Sequence, residues 1–265
     1  MSAALNARLG LILTDLRLPT IKRLALDLCA QSDSEGWPGS RLLEALFELE
    51  MNERDVRRIE RHRAESALSP DKRLSSFDFA AVPDVSKAQV MALAAGHEWL
   101  DRGANVLLFG PSGVGKTHLI SGLGHALIDA GRRVLFVRCS ELVQRLQTAR
   151  RDLRLAQELT KLDRFDLIIL DDLSYVRRDQ AETSVLFELI AERYERKSIA
   201  LTDNTPFSQW GEVFVDAAMA VAAVDRLVHH STILEMNVES YRRRVAQAAR
   251  APAKRGRSGG TSAAT

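Results

Sequence analysis

Cysteine is scarce in this 265-residue chain, which carries only Cys29 and Cys139. Two isolated thiols cannot build a disulfide framework, and no Cys/His spacing resembles a zinc site. The adjacent His229 and His230 read as a structural pair. No apolar run approaches the ~20 residues that cross a bilayer, so no membrane partner is expected. The first residues, with Arg8, Asp15 and Arg17 close to a short apolar run, lack the long apolar segment and small-residue cleavage site of a secretory signal. The expected state is therefore a protein with reduced thiols in the cytoplasm. Aromatic residues make up only 6% of the chain, and no interleaved aromatic pattern points to base stacking. No internal repeat is evident, and the formal net charge is only +2.

What is present is an ordinary globular composition, 46% hydrophobic and 27% charged, with length enough for one large domain and one small one. The charge is unevenly spread. Residues 1–80 hold 12 basic and 13 acidic side chains, and residues 81–240 hold 18 and 22. The last 25 residues hold seven basic side chains and no acid. From residue 248 to 265 the composition cannot bury a core, which predicts a basic disordered tail. Such a tail suits a polyanion such as DNA, and equally suits simple solubilisation.

Helical periodicity runs through residues 1–70, carried first by Leu11, Leu16, Leu18, Ile21, Leu24 and Leu28. It resumes with Leu42, Leu43, Leu46, Phe47 and Leu49. This predicts a small all-helical N-terminal domain of three or four helices that binds a partner. Residues 71–86 read as a linker. From 87 to 247 helices and strands alternate. Strands are expected at 105–110, 133–138, 167–170, 198–202 and 231–235, with helices at 87–100, 117–129, 140–163, 180–196 and 206–224. That alternation predicts an α/β domain with a central parallel sheet flanked by helices.

The most informative run is NVLLFGPSGVGKTHL at 105–119, an apolar strand, a glycine-rich loop and a helix. Gly110, Gly113 and Gly115 let the backbone curl so that its N–H groups face phosphates. Lys116 reaches the β- and γ-phosphates, the Thr117 hydroxyl is placed to ligate Mg²⁺, and the helix turns its positive end toward the same anion. The chain is thus expected to bind a nucleoside triphosphate and Mg²⁺ through Gly110, Pro111, Ser112, Gly113, Val114, Gly115, Lys116, Thr117 and His118. LIILDD at 167–172 sets two carboxylates at the carboxyl end of a buried strand, the edge where open α/β sheets hold ligands. Asp171 would hold Mg²⁺ and Asp172 would orient or deprotonate the attacking water; a plain turn at the strand end is the bland alternative. Asn204 could position the hydrolytic water, form an Asx turn ahead of Pro206, or do both. Arg226, read as following an alanine-rich helix, could pair with Asp225 or Glu235, or reach a neighbouring subunit's nucleotide.

Taken together, GPSGVGKTHL, LIILDDLSY, TDNTPFSQW, DRLVHHS and ESYR resemble the IstB-like helper ATPases of insertion-sequence transposition. That family belongs to the P-loop AAA+ ATPases, beside the helicase loader DnaC and the replication initiator DnaA. The front segment shares in the resemblance through LRLPTIK, ERDVRRIERHRAESALSP and FDF. The resemblance implies roles for Lys116, Asp171, Asp172 and Asn204 (sensor 1) in hydrolysis. It makes Arg226 an arginine finger acting in trans and Arg242 a sensor-2 arginine. Asp203 and Val238 depart from the pattern, standing where the family has Ser or Thr and Gly. The resemblance further implies a homo-oligomer through ATP-bridged interfaces, assembly on double-stranded DNA without sequence preference, and a transposase partner. Arg145, Arg150, Arg151 and Arg154 are the candidate phosphate contacts, unless they form only a solvated face. A DnaC-like helicase loader and a DNA scaffold with negligible turnover are the alternative readings.

Overall fold

The structure is a computed structural model, and it describes residues 3–96, 98–173, 180–205, 216–238 and 240. Helices α1 (Ala3–Asp15), α2 (Pro19–Glu35) and α3 (Gly39–Glu65) come first, followed by short 3-10 turns at Leu74–Ser76 and Phe79–Ala81. Then come α4 (Lys87–Ala95), α5 (Glu98–Asp101), β1 (Asn105–Phe109), α6 (Lys116–Asp129), β2 (Val134–Arg138), α7 (Cys139–Arg151) and α8 (Leu155–Leu162). The chain continues through β3 (Leu167–Asp171), α9 (Gln180–Arg193), β4 (Ser198–Asp203), α10 (Ala217–Val228) and β5 (Ser231–Glu235). The five strands form one parallel sheet in the order β2-β3-β4-β1-β5. Among the described residues, no helix is long and apolar enough to cross a membrane.

The sheet separates two cores because successive strand residues point to opposite faces. Leu107, Phe109, Ile168, Leu170, Ile199 and Leu201 pack with Leu142, Leu146, Leu186, Leu189 and Leu227 from α7, α9 and α10. Val106, Leu108, Leu167, Ile169 and Ala200 pack on the other face with Leu119, Leu123 and Leu127 of α6 and Val90 of α4. Every residue of β1, β3 and β4 is buried, whereas β2 and β5 are partly open. Full burial on both faces explains the near-continuous apolar runs of the three central strands.

Two expected helices are broken. The 87–100 stretch stops at Gly96, whose backbone turns extended (φ −95°, ψ 121°). The 140–163 stretch divides into α7 and α8, because Leu153 adopts a left-handed φ of 55°. There the Leu153 and Arg154 N–H groups donate back to the Arg150 and Ala149 carbonyls, the Schellman pattern that ends a helix. The helix expected at 206–224 is described only from Ala217, but runs on to Val228. Arg226 therefore lies in its last turn rather than beyond it.

Helices α1–α3 keep a small apolar cluster of their own, Leu13, Ile21 and Ala25. The buried Glu50 carboxylate accepts the Thr20 and Ile21 N–H groups and so caps α2. The end of α3 is joined to the sheet: the Phe136 N–H donates to the Ser66 carbonyl at 2.7 Å, and Arg63 pairs with Asp129 at 2.6 Å. Deeper still, Arg193 is 1% exposed and donates to the Leu162, Phe165 and Ser198 carbonyls. Burial pushes its pKa down to about 10, opposed by Asp163 and Asp166.

Candidate functional site

The glycine-rich loop leaves β1 where backbones crowd. Gly110 has φ 145°, and a Cβ there would stand 2.3 Å from the Met236 carbonyl oxygen. That carbonyl is held close because the Met236 N–H donates to the Phe109 carbonyl at 2.8 Å, extending the β1–β5 pairing. Gly115, with φ 109°, stands at the N-terminus of α6, and a Cβ there would meet the Phe77 ring edge at 3.1 Å. Only glycine satisfies both the left-handed backbone and the close neighbour.

Five side chains from three chain segments converge at this edge. The Lys116 ammonium, 5% exposed, donates to the Gly110 and Pro111 carbonyls at 2.5 and 2.9 Å and to Asn204 Oδ1 at 2.8 Å. Asn204 Nδ2 in turn donates to Asp172 Oδ1 at 3.0 Å. Thr117 Oγ1 donates to the Asp171 carboxylate at 2.9 Å. Topology brings them together: β4 lies between β3 and β1, so the ends of all three strands meet at the switch point of the sheet. Asp172 itself has a left-handed φ of 60°, an uncommon backbone conformation of the kind that gathers at functional sites.

Thr202 belongs to this group and gave no signal in the sequence. Its hydroxyl donates to Asp171 Oδ1 at 2.7 Å and accepts the Asp172 N–H at 3.0 Å, so it fixes both carboxylates. Only the β3–β4 pairing makes Thr202 visible. The turn after β4 is formed by Asp203 rather than Asn204, since Asp203 Oδ1 accepts from the Thr205 N–H at 3.2 Å. Asn204 is thereby left to face Lys116 and Asp172.

These groups border a cavity of about 260 Å³ lined by Ser112, Gly113, Lys116, Thr117, Asp172 and Asn204, with Lys72 and His118 at its side. Lys72 was another residue without a sequence signal. The His118 ring is engaged by the connector: Nε2 lies 3.1 Å from both the Ser76 hydroxyl and the Arg73 carbonyl. Phe77 packs edge-on against it at 5.4 Å. A smaller cavity of about 100 Å³ adjoins, between Phe77, Asp78 and Val82 on one side and Val114, Gly115 and His118 on the other. Segment 71–86, expected to be a linker, thus forms one wall of the site.

Arg226 is not brought to this group. Its backbone carbonyl lies beside Asn105, at the beginning of β1, and Gly110 follows five residues later, about 16 Å along the strand. Its guanidinium rests over Phe187 and Tyr194, 5.0 and 6.0 Å from the ring centres, and donates to the Ala222 carbonyl at 2.9 Å. Among the described residues it meets neither Asp225 nor Glu235 as an ion pair. Arg242 lies outside the described residues, as do the tail at 248–265 and the segments 174–179 and 206–215.

The four arginines considered for phosphate contacts do not form one face. Arg145, Arg150 and Arg151 are on α7, whereas Arg154 precedes α8. Arg145 pairs with Glu158, Arg150 with Glu188 and Ser184, and Arg154 with Asp152 at 2.6 Å. Burial raises the Glu158 pKa, but hydrogen bonds from Lys161 and Arg145 hold it below its ordinary value. Arg151 is exposed and donates only to the Thr148 hydroxyl, at 3.1 Å, among the described residues.

Known proteins resemble this chain over most of its length. The family of IstB-like ATP binding proteins matches residues 12–249. An insertion sequence ATP-binding protein of Sinorhizobium fredii is 63% identical over 245 residues, covering 92% of this chain and 82% of that protein. The IS21 ATP-binding protein of Pseudomonas aeruginosa is 42% identical over 193 residues, covering 73% and 72%. Among solved structures, DnaI superposes with a TM-score of 0.51 at 19% identity, covering 65% of this chain and 96% of that one. AMPPCP-bound DnaA from Aquifex aeolicus gives 0.51 at 18% identity, covering 69% and 56%. At such identity the likeness concerns the fold, that of P-loop AAA+ proteins.

Proposed function

Because the chain belongs to the family of IstB-like ATP-binding proteins, we propose that it is the ATP-hydrolysing helper of an insertion sequence. ATP drives its assembly on double-stranded DNA without sequence preference, and the assembly stimulates or targets the partner transposase. The observation that carries the hydrolytic part is the hydrogen-bonded line Lys116–Asn204–Asp172 along the 260 Å³ cavity. It joins the group that meets a γ-phosphate to the group that handles the attacking water.

Each residue then has a distinct task. The loop N–H groups and the start of α6 hold the phosphates. Lys116, already among three oxygen acceptors, offers the same ammonium to phosphate oxygens. The Thr117 hydroxyl and Asp171 carboxylate, 2.9 Å apart, are hard oxygen donors of the kind Mg²⁺ takes, and both would hold the ion. Once bound, Mg²⁺ supplies charge neutralisation for the phosphates. Thr202 keeps Asp171 turned inward. Asp172 orients the water and accepts its proton, and Asn204 fixes the Asp172 carboxylate while bonding Lys116.

Arg226 serves a neighbour's nucleotide in this reading. It is supported by the position of its turn at the opposite end of β1 from its own phosphate loop, and by a guanidinium that, among the described residues, rests on Phe187, Tyr194 and the Ala222 carbonyl rather than on a carboxylate. A finger supplied in trans ties turnover to assembly.

ATP turnover and particle mass, measured with duplex and with single-stranded DNA, test the reading. ATP-dependent growth on duplexes of unrelated sequence supports it. Assembly only on single strands would favour a helicase loader instead, and assembly without turnover would favour a scaffold.

A further inference from the structure

At the amino-terminal end of the sheet, away from the nucleotide cavity, three metal-ligating side chains meet. Glu195 Oε1 lies 3.7 Å from His229 Nδ1 and 3.8 Å from His230 Nε2, and all three ligand atoms fall within 4.8 Å of one another. Among the described residues this is the only such group. We propose that Glu195, His229 and His230 bind a divalent transition-metal ion of the zinc type.

The chemistry of the donors suits such an ion. Two imidazole nitrogens and one carboxylate oxygen are the mixed set that borderline divalent cations take, whereas Mg²⁺ and Ca²⁺ prefer oxygen alone. Tetrahedral coordination at about 2.0–2.2 Å places donor atoms about 3.4 Å apart, against 3.7 and 3.8 Å from Glu195 to the two histidines and no more than 4.8 Å between any two of the three. All three side chains are about half exposed, so small rotations about their side-chain bonds bring them in.

The backbone beneath them is held firmly. Glu195 sits in a left-handed turn, φ 56°, packed so tightly on Gly103 that a Cβ there would lie 2.8 Å from the Glu195 carbonyl carbon. The His229 N–H closes the last turn of α10 on Asp225, and the His230 carbonyl accepts the Asn105 N–H at 2.7 Å. The two imidazoles lie with ring centres 4.0 Å apart. The Tyr194 hydroxyl, 2.7 Å from His229 Nδ1, gives up that hydrogen bond when the ion takes the nitrogen. A cavity of about 610 Å³, lined by the three ligands with Trp99 and Arg102, gives the ion access and leaves the remaining coordination position to water.

The site also has a place in the subunit. Tyr194, one residue before Glu195, lies under the Arg226 guanidinium. An ion tying the α9–β4 turn to the end of α10 therefore stiffens the element that carries Arg226. The binding itself does not depend on the proposed function.

Titration of the untagged full chain with Zn²⁺ and with Co²⁺ tests the site directly. One ion per chain is expected, with visible d–d absorption from bound Co²⁺ that Zn²⁺ abolishes, and a rise in melting temperature. Glu195→Gln and His230→Gln should each weaken binding by ~10-fold or more, since each removes one of three ligands. Circular dichroism confirms that the variants remain folded; Glu195→Gln, on an exposed turn, keeps the measurement available if a histidine variant does not. The proposal is overturned if no saturable binding is found, or if the folded variants bind as tightly as the parent chain.

Discussion

Lys116 and Asn204, 88 residues apart in the chain, are joined by a hydrogen bond of 2.8 Å across the end of the sheet. The same amide reaches Asp172. One side chain thus spans the ammonium of the glycine-rich loop and the carboxylate that follows β3.

Removing that amide should damage turnover more than binding. Asn204→Ala is expected to lower the kcat for ATP by ~100-fold with little change in KM, the pattern of a lost polar contact that acts mainly in the transition state. Steady-state phosphate release together with nucleotide binding checks this. A variant with unaltered kcat would remove Asn204 from the hydrolytic machinery.

Arg226→Ala should abolish most turnover in the assembled state, by ~1000-fold, while each chain still binds ATP. Mixing it with Lys116→Ala gives the sharper measurement. Each variant alone is inactive, yet mixed assemblies pair an intact loop with an intact arginine and recover part of the rate. No recovery on mixing would argue against action in trans.

The connector should prove as sensitive as the loop it covers. A Cβ on Gly122 of α6 would lie 2.7 Å from the Leu74 backbone nitrogen, so Gly122→Ala must push segment 73–77 away. A destabilisation of about 1–3 kcal/mol is expected from such overpacking, together with weaker ATP binding because Phe77 and His118 shift. Denaturant melts and nucleotide titration read the two effects separately.

Leu153 should respond in the opposite direction. It is 93% exposed and left-handed at φ 55°, so it has little packing to lose and a backbone that glycine adopts freely. Leu153→Gly is expected to stabilise the chain by about 0.5–1 kcal/mol, measurable as a higher unfolding midpoint.

Mild acid should weaken the junction between α3 and the sheet. His62 is buried, and burial, followed by the nearby Arg133 charge, lowers its pKa below the ordinary 6.5. The folded chain therefore binds a proton less readily than the unfolded one. Below pH ~6.5 the unfolded state gains protons first, and stability falls with pH until the folded histidine also titrates. Melting temperatures between pH 7 and 5 should drop for the parent chain, and less steeply for His62→Gln.

Much of the site was legible as local pattern. Gly110–Thr117 reads as a phosphate loop because its glycines, lysine and threonine stand within a few residues of one another, and LIILDD carries its strand and carboxylates together. The alternating helices and strands were likewise readable, because burial on two faces leaves apolar runs. Strand order is not a local property. The placing of β4 between β3 and β1 alone brings Asn204 to Lys116 and lets Thr202 hold Asp171, and crossover pairing leaves no periodic trace in the chain. Side-chain competition is equally invisible from sequence: Arg145, Arg150 and Arg154 turned to nearby acids, and Phe77 and Lys72 closed over a site that their linker-like composition did not announce. The sequence by itself determined a loop whose residue types suit a nucleoside triphosphate. The tertiary structure decided which distant groups surround it, because parallel strands joined by crossovers set side by side residues that the chain keeps far apart.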